Sequence, residues 1–74
     1  MGIGEKMRNY KFANYLRARR IEKGFSQFQL GKLLGVSDKA VSKWENGLSK
    51  PRPELFPSIC KTLEIPFEDF LKNL

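Results

Sequence analysis

The sequence predicts a compact all-α domain of five short helices, on three observations. Apolar residues recur at helical spacing along most of the chain, capping residues and glycines punctuate it at short intervals, and no stretch alternates apolar with polar residues as a half-buried strand would. With 74 residues there is room for one such domain only. Hydrophobic residues at 41% and charged residues at 30% suffice for a core and are too apolar a mixture for disorder. No internal repeat or low-complexity tract interrupts the pattern.

The first ten residues contain two glycines, charges of both signs and no period, which predicts a loose N-terminal arm over 1–10 ahead of a folded domain over 11–74. A first helix begins at Lys11, with Phe12 and Leu16 one turn apart, and stops at Gly24 in a left-handed cap. At about 100° per residue Arg20 falls between Leu16 and Ala13 on the apolar side, where a charge needs a partner. Ser26 is a good N-cap, Gln29 completes a capping box and Phe25 can staple the start, so a second helix runs from Gln27 to Leu34. Gly35 ends it. Ser37 caps a third helix from Asp38 to Asn46, with Asp38 placed well against the helix dipole, and Gly47 ends that one.

Lys50, Pro51, Arg52 and Pro53 then form a basic, proline-punctuated loop. Proline is tolerated in a first turn and disruptive deeper in, so a fourth helix begins between Leu55 and Pro57 and runs to Leu63, with Leu55, Ile59 and Leu63 on one face. Pro66 opens a fifth through Phe67, Phe70 and Leu71. Phe12, Phe25, Trp44 and Phe70 fall on inward faces, a core role and not that of base-stacking platforms. Tyr10, Tyr15 and Phe28 point inward less clearly.

The formal charge of +6 favours a polyanionic partner, because lysines and arginines that neutralise phosphates release condensed counterions. The charge is uneven, at +5 over Met1 to Phe25, +3 over Ser26 to Pro53 and −2 over Glu54 to Leu74. The last third should face away from the anion. Cys60 is the only cysteine and histidine is absent, so an intramolecular disulfide is excluded and a zinc site would have to rest on carboxylates. Cys60 reads as an inert core thiol, since nothing is present to activate it. An enzyme fits poorly, for the chain lacks a histidine, a glycine-rich phosphate loop and a paired-acid motif. Neither a cofactor, a metal nor a small-molecule ligand is implied.

No apolar run approaches the roughly 20 residues of a membrane span, and the N-terminus lacks the apolar stretch of a signal peptide. Lys6 occupies the position at which a myristoylation signal needs Ser or Thr. A reducing, cytoplasmic setting is the expectation.

The most informative stretch is QFQLGKLLGVSDKAVSKWEN, Gln27 to Asn46, in which two short helices must cross steeply over a three-residue turn. Gly31 supplies a small side chain at the closest approach, Gly35 permits the turn and Val36 plugs the corner. On a wheel of the third helix, Ala40, Val41, Trp44 and Glu45 share one arc. Asp38, Lys39, Ser42, Lys43 and Asn46 fill the opposite one, an entirely polar face suited to a helix laid in the major groove of DNA.

That stretch, the Glu45–Asn46–Gly47 turn and the Lys50–Pro51 that follow resemble the Cro/repressor helix-turn-helix family of phage and bacterial regulators, over most of the chain from Lys11 to Leu74. The resemblance implies a lambda-repressor-like fold and sequence-specific binding of double-stranded DNA by a transcriptional repressor or regulator. It implies that Gln27 binds a phosphate and helps to position the third helix, and that Asp38, Lys39, Ser42 and Lys43 face the bases. Ser37, Asn46, Lys50 and Arg52 match positions that contact the sugar-phosphate backbone, and Arg20 with Glu45 matches a buried ion pair. Alternatives stand beside these roles. Asp38 can accept from cytosine N4 or cap the helix next to Ser37, Ser42 can contact a base or only solvent, and Lys39 and Lys43 can read guanine or hold phosphates.

One recognition helix contacts few base pairs, so a homodimer on a palindromic operator is expected, with half-sites about 10 bp apart. The loop after Gly47 and the end of the fifth helix, with Leu71 and Leu74, are the candidate self-association surface. The competing reading is an antitoxin-like or coregulator module whose main duty is to bind a partner protein.

Overall fold

A computed structural model describes residues 10–74, and the helices in it follow from local signals at their ends. They are α1 (Tyr10–Glu22), α2 (Gln27–Leu34), α3 (Asp38–Glu45), a 3₁₀ turn (Pro53–Leu55), α4 (Phe56–Leu63) and α5 (Phe67–Lys72). No strand occurs among the described residues, and none of the described helices is long and apolar enough to cross a membrane. Of the arm expected over 1–10, only Tyr10 lies within the described residues, and it is the first residue of α1.

Ser26 opens α2 with a reciprocal pair of hydrogen bonds. Its Oγ accepts from the Gln29 backbone N–H at 3.0 Å, while Gln29 Oε1 accepts from the Ser26 N–H at 2.8 Å. At the other end Gly35 takes φ +76°, and the N–H groups of Gly35 and Val36 donate back to Lys32 and Gly31. Those two bonds satisfy carbonyls the helix leaves open and turn the chain sharply into Ser37, whose Oγ accepts from the Ala40 N–H at 3.1 Å to start α3. The same closing pattern ends α4, but with Glu64 at φ +55° in place of a glycine.

The core lies where all five helices meet. Phe12, Leu16, Leu30, Val41, Ile59 and Phe70 are fully buried there, with Trp44 and Leu63 nearly so. Phe70 is its aromatic hub. It meets Phe12 edge-on at 5.6 Å and Phe56 at 5.0 Å, so the short α5 is held by ring packing against α1 and α4. Two polar ties support this arrangement, Tyr15 Oη donating to Asp69 Oδ2 at 2.6 Å and Lys23 Nζ paired with Glu64 at 2.9 Å. Burial and the bond to Asp69 push the Tyr15 hydroxyl pKa well above its ordinary value, so it stays a donor. Cys60 is buried, and that burial pushes its thiol pKa up as well.

The structure refines several sequence expectations. Leu55 belongs to the 3₁₀ turn and is half-buried, so the apolar line of α4 consists of Ile59, Cys60 and Leu63. Pro57 fits at the second position of α4, where its missing N–H is not needed. Helix α3 stops at Glu45, one residue early, with Asn46 as its C-cap. Phe25 is only half-buried, and Phe28 is 60% exposed.

Gly31 marks the tightest point of the α2–α3 crossing. A Cβ added there would lie 2.7 Å from the Val36 carbonyl oxygen, which is backbone and cannot swing aside. Gly31→Ala should therefore destabilise the domain by about 1–3 kcal/mol through forced backbone shifts. A shift in the urea midpoint at unchanged slope would register it, and an unchanged midpoint would mean that the crossing is looser than this.

Candidate nucleic-acid interface

The site is built on α3, a helix pinned on one side and open on the other. Val41, Trp44 and Glu45 are buried, while Asp38, Lys39, Lys43 and Asn46 are exposed and Ser42 is half-buried. The outward arc read from the sequence is thus the arc that solvent reaches. Lys39, Lys43 and Arg52 form no ion pair among the described residues, so their charges stay uncompensated. Asp38 sits in the first turn of α3 beside the Ser37 cap.

What holds this face in orientation is a buried charge cluster. Arg20 donates to Glu45 through two nitrogens, Nε to Oε2 at 2.6 Å and Nη2 to Oε1 at 2.9 Å. Its Nη1 donates to the Phe25 carbonyl at 2.8 Å, which ties α1 to the corner before α2. Gln27 completes the cluster, donating from Nε2 to Glu45 Oε1 at 3.1 Å. The side chains of Arg20 and Glu45 are only 11% and 3% exposed. The bond to Glu45 raises the Arg20 pKa against the opposing effect of burial, so the guanidinium keeps its charge in the fold.

The structure sorts the predicted site residues into three groups. Asp38, Lys39, Ser42, Lys43 and Asn46 share the open surface of α3 and its end, with Ser37 at its start. Gln27, at the first position of α2 and expected on a phosphate, donates its side-chain amide to Glu45 of α3. Lys50 and Arg52 lie in the loop after α3. Arg52 is exposed, whereas Lys50 Nζ donates to the Leu74 carbonyl at 3.1 Å and so ties the loop to the segment after α5. Sequence reasoning missed the Gln27–Glu45 and Lys50–Leu74 contacts, which join positions 18 and 24 residues apart and leave no local signature. Among the described residues no group of three His, Cys, Asp or Glu side chains gathers in a way that could hold a metal ion.

Two short helices crossing over a tight turn, the second with one polar face open and braced by three further helices, define a helix-turn-helix domain. The chain belongs to the helix-turn-helix family of the Cro/repressor type, whose family model matches residues 16–70. Repressor protein C2 of Salmonella phage P22 is 37% identical over 58 residues, a match that covers 78% of this chain and 27% of that protein. The chain therefore spans about a quarter of this relative's length. The P22 c2 repressor solved in complex with a synthetic operator superimposes with a TM-score of 0.77 at 33% identity, covering 85% of this chain and 96% of that one. The restriction-modification controller protein C.AhdI from Aeromonas hydrophila matches with a TM-score of 0.75 at 28% identity, over 82% of this chain and 88% of its own. The fold also forms part of a larger enzyme, hydroxypropylphosphonic acid epoxidase from S. wedmorenis, at 26% identity and a TM-score of 0.74 over 88% of this chain and 35% of that one.

Breaking the charge cluster from one side leaves the other charge buried and unpaired. Arg20→Ala should cost about 3–5 kcal/mol, and Arg20→Met combined with Glu45→Leu should cost less than either single truncation to alanine. Thermal melts of the three proteins check this, and a double variant less stable than Arg20→Ala would contradict it.

Proposed function

We propose that this domain binds double-stranded DNA in a sequence-specific way, with α3 in the major groove, as a transcriptional repressor or regulator. The observation that carries the reading is the open face of α3. Lys39 and Lys43 lie exposed, with no ion-pair partner among the described residues, on a helix whose other side is anchored by Val41, Trp44 and the Glu45 cluster. In this reading Asp38, Lys39, Ser42 and Lys43 approach the base edges. Gln27, Ser37, Asn46, Lys50 and Arg52 follow the sugar-phosphate backbone, helped by the main-chain N–H groups that begin α2 and α3. The solved operator complex of the P22 c2 repressor supports it, because that domain shares the fold over nearly its whole length.

The domain acts as a homodimer on a palindromic operator in the cytoplasm. Two-fold pairing doubles the contact of a short recognition helix, and Leu48 and Leu71 expose apolar area on the loop after α3 and on α5, next to the Lys50–Leu74 tie. A second reading, in which a protein partner is the principal ligand, is favoured by one feature. Phe25, Gln29, Lys32 and Leu33 line a shallow groove of about 300 Å³, with Leu33 57% exposed.

Enrichment of bound duplexes from a random pool tests the first reading. A two-fold symmetric consensus is expected, with affinity falling steeply as salt rises because several phosphates are neutralised. No enrichment, or a flat salt titration, would count against it. Lys43→Ala should weaken the preferred site by about 1–3 kcal/mol if Lys43 reads a base, and weaken every sequence alike if it holds a phosphate. Repeating the enrichment with the variant separates the two.

A further inference from the structure

The cations near the end of α1 are matched by acids, with one exception. Arg19 pairs with Glu22, Arg20 with Glu45, and Lys23, just past the helix, with Glu64. Arg17 is exposed and has no ion-pair partner among the described residues. Its direction follows from its neighbours. Helix α1 packs chiefly against α3, and Arg20 marks the flank on which they meet, because its guanidinium reaches Glu45 and the Phe25 carbonyl at the corner before α2. At about 100° per residue Arg17 lies about 60° round the helix from Arg20 and about 40° from the buried Ala13, farther from Leu16 than either. Tyr15 and Arg19 occupy the other flank, where Tyr15 reaches Asp69 of α5.

Glu45 sets the level of the Arg20 flank on α3. It is seven residues from Asp38, about 20° round the helix, and so lies at the border where the buried arc gives way to the open one. A side chain on α1 that stands outside Arg20, beside that border, faces the way the open arc faces. Gln27 reaches the same Glu45 from the start of α2, and Asn46 follows it as the C-cap of α3. Arg17 is three residues from Arg20, about 4.5 Å along the axis, which sets it next to this corner.

We infer that Arg17 binds a phosphate of the DNA backbone beside the major groove, a contact that carries the interface from α3 onto α1 and confers no base preference. A guanidinium suits the task, since its planar fork donates two parallel hydrogen bonds to phosphate oxygens. Arg17 has no acid to give up first, so its charge is available to displace counterions. Part of the +5 carried by the first third of the chain thereby acquires a place in the interface. This inference rests on the docking of α3 proposed above and extends it to a residue outside the two crossing helices.

The test is a salt titration of the full chain on its enriched duplex, with the enrichment repeated for each variant. Arg17→Gln should weaken binding roughly threefold to tenfold near 0.1 M salt and lower the slope of log affinity against log salt by about one. The consensus and the melting temperature should stay those of the wild type, and Arg17→Lys should keep most of the slope. Lys61→Gln removes an equal charge from the exposed surface of α4 and should leave the slope unchanged. A wild-type slope in Arg17→Gln, a consensus altered by it, or an equal loss of slope in Lys61→Gln overturns this inference alone. A wild type that enriches nothing overturns it together with the proposed function.

Discussion

The bidentate pair between Arg20 and Glu45 is the constraint from which the rest of the arrangement follows. Apolar burial is non-directional, so packing Val41 and Trp44 into the core turns the polar arc of α3 outward without fixing the register of α3 along α1. The guanidinium fork is directional. It binds both oxygens of Glu45 and the Phe25 carbonyl, and so registers α1, the corner before α2 and the last turn of α3 against one another. Desolvating two charges is expensive, and the pair is tolerable because Glu45 receives three donors while Arg20 finds an acceptor outside the pair. With Glu45 turned inward, Lys39 and Lys43 have no choice but to face out.

That geometry also decides which charges remain visible from outside. Glu45 is consumed by Arg20, Glu22 by Arg19 and Glu64 by Lys23, while Asp69 accepts from Tyr15. Lys39, Lys43 and Arg52 keep theirs. The positive character of the α3 side is thus a product of selective neutralisation within the fold as much as of the excess of lysine and arginine in the chain.

Most of the fold was legible in the sequence because its signals are local. Ser26 with Gln29, Ser37 with Asp38, and the glycines at 24, 35 and 47 each act within one turn of the residues they govern, and the bounds of α2 followed without error. The outward arc of α3 was legible for the same reason, since a helical period over eight residues assigns faces by itself. Two kinds of feature were not. The 3₁₀ turn before α4 begins at Pro53, four residues ahead of Pro57, and propensity alone does not resolve a bend between two prolines into helix types. Contacts such as Gln27 to Glu45 and Lys50 to Leu74 exist only once the helices have been packed, and the two phenylalanines of the α2 corner, Phe25 and Phe28, divide between half-buried and exposed according to tertiary neighbours.

Glu64 is the one described residue other than glycine with a positive φ, and it occupies the place where the ends of α1, α2 and α3 use Gly24, Gly35 and Gly47. A side chain in that conformation costs roughly 1–2 kcal/mol, and an exposed pair such as the one with Lys23 returns at most about 1 kcal/mol of it. The corner between α4 and α5 is closed by the backbone bonds from the Glu64 and Ile65 N–H groups to the Lys61 and Cys60 carbonyls, and is backed by the rings around Phe70. The strain at Glu64 is thus carried by the seating of α5 on the core, where Phe70 is fully buried and Asp69 is held by Tyr15.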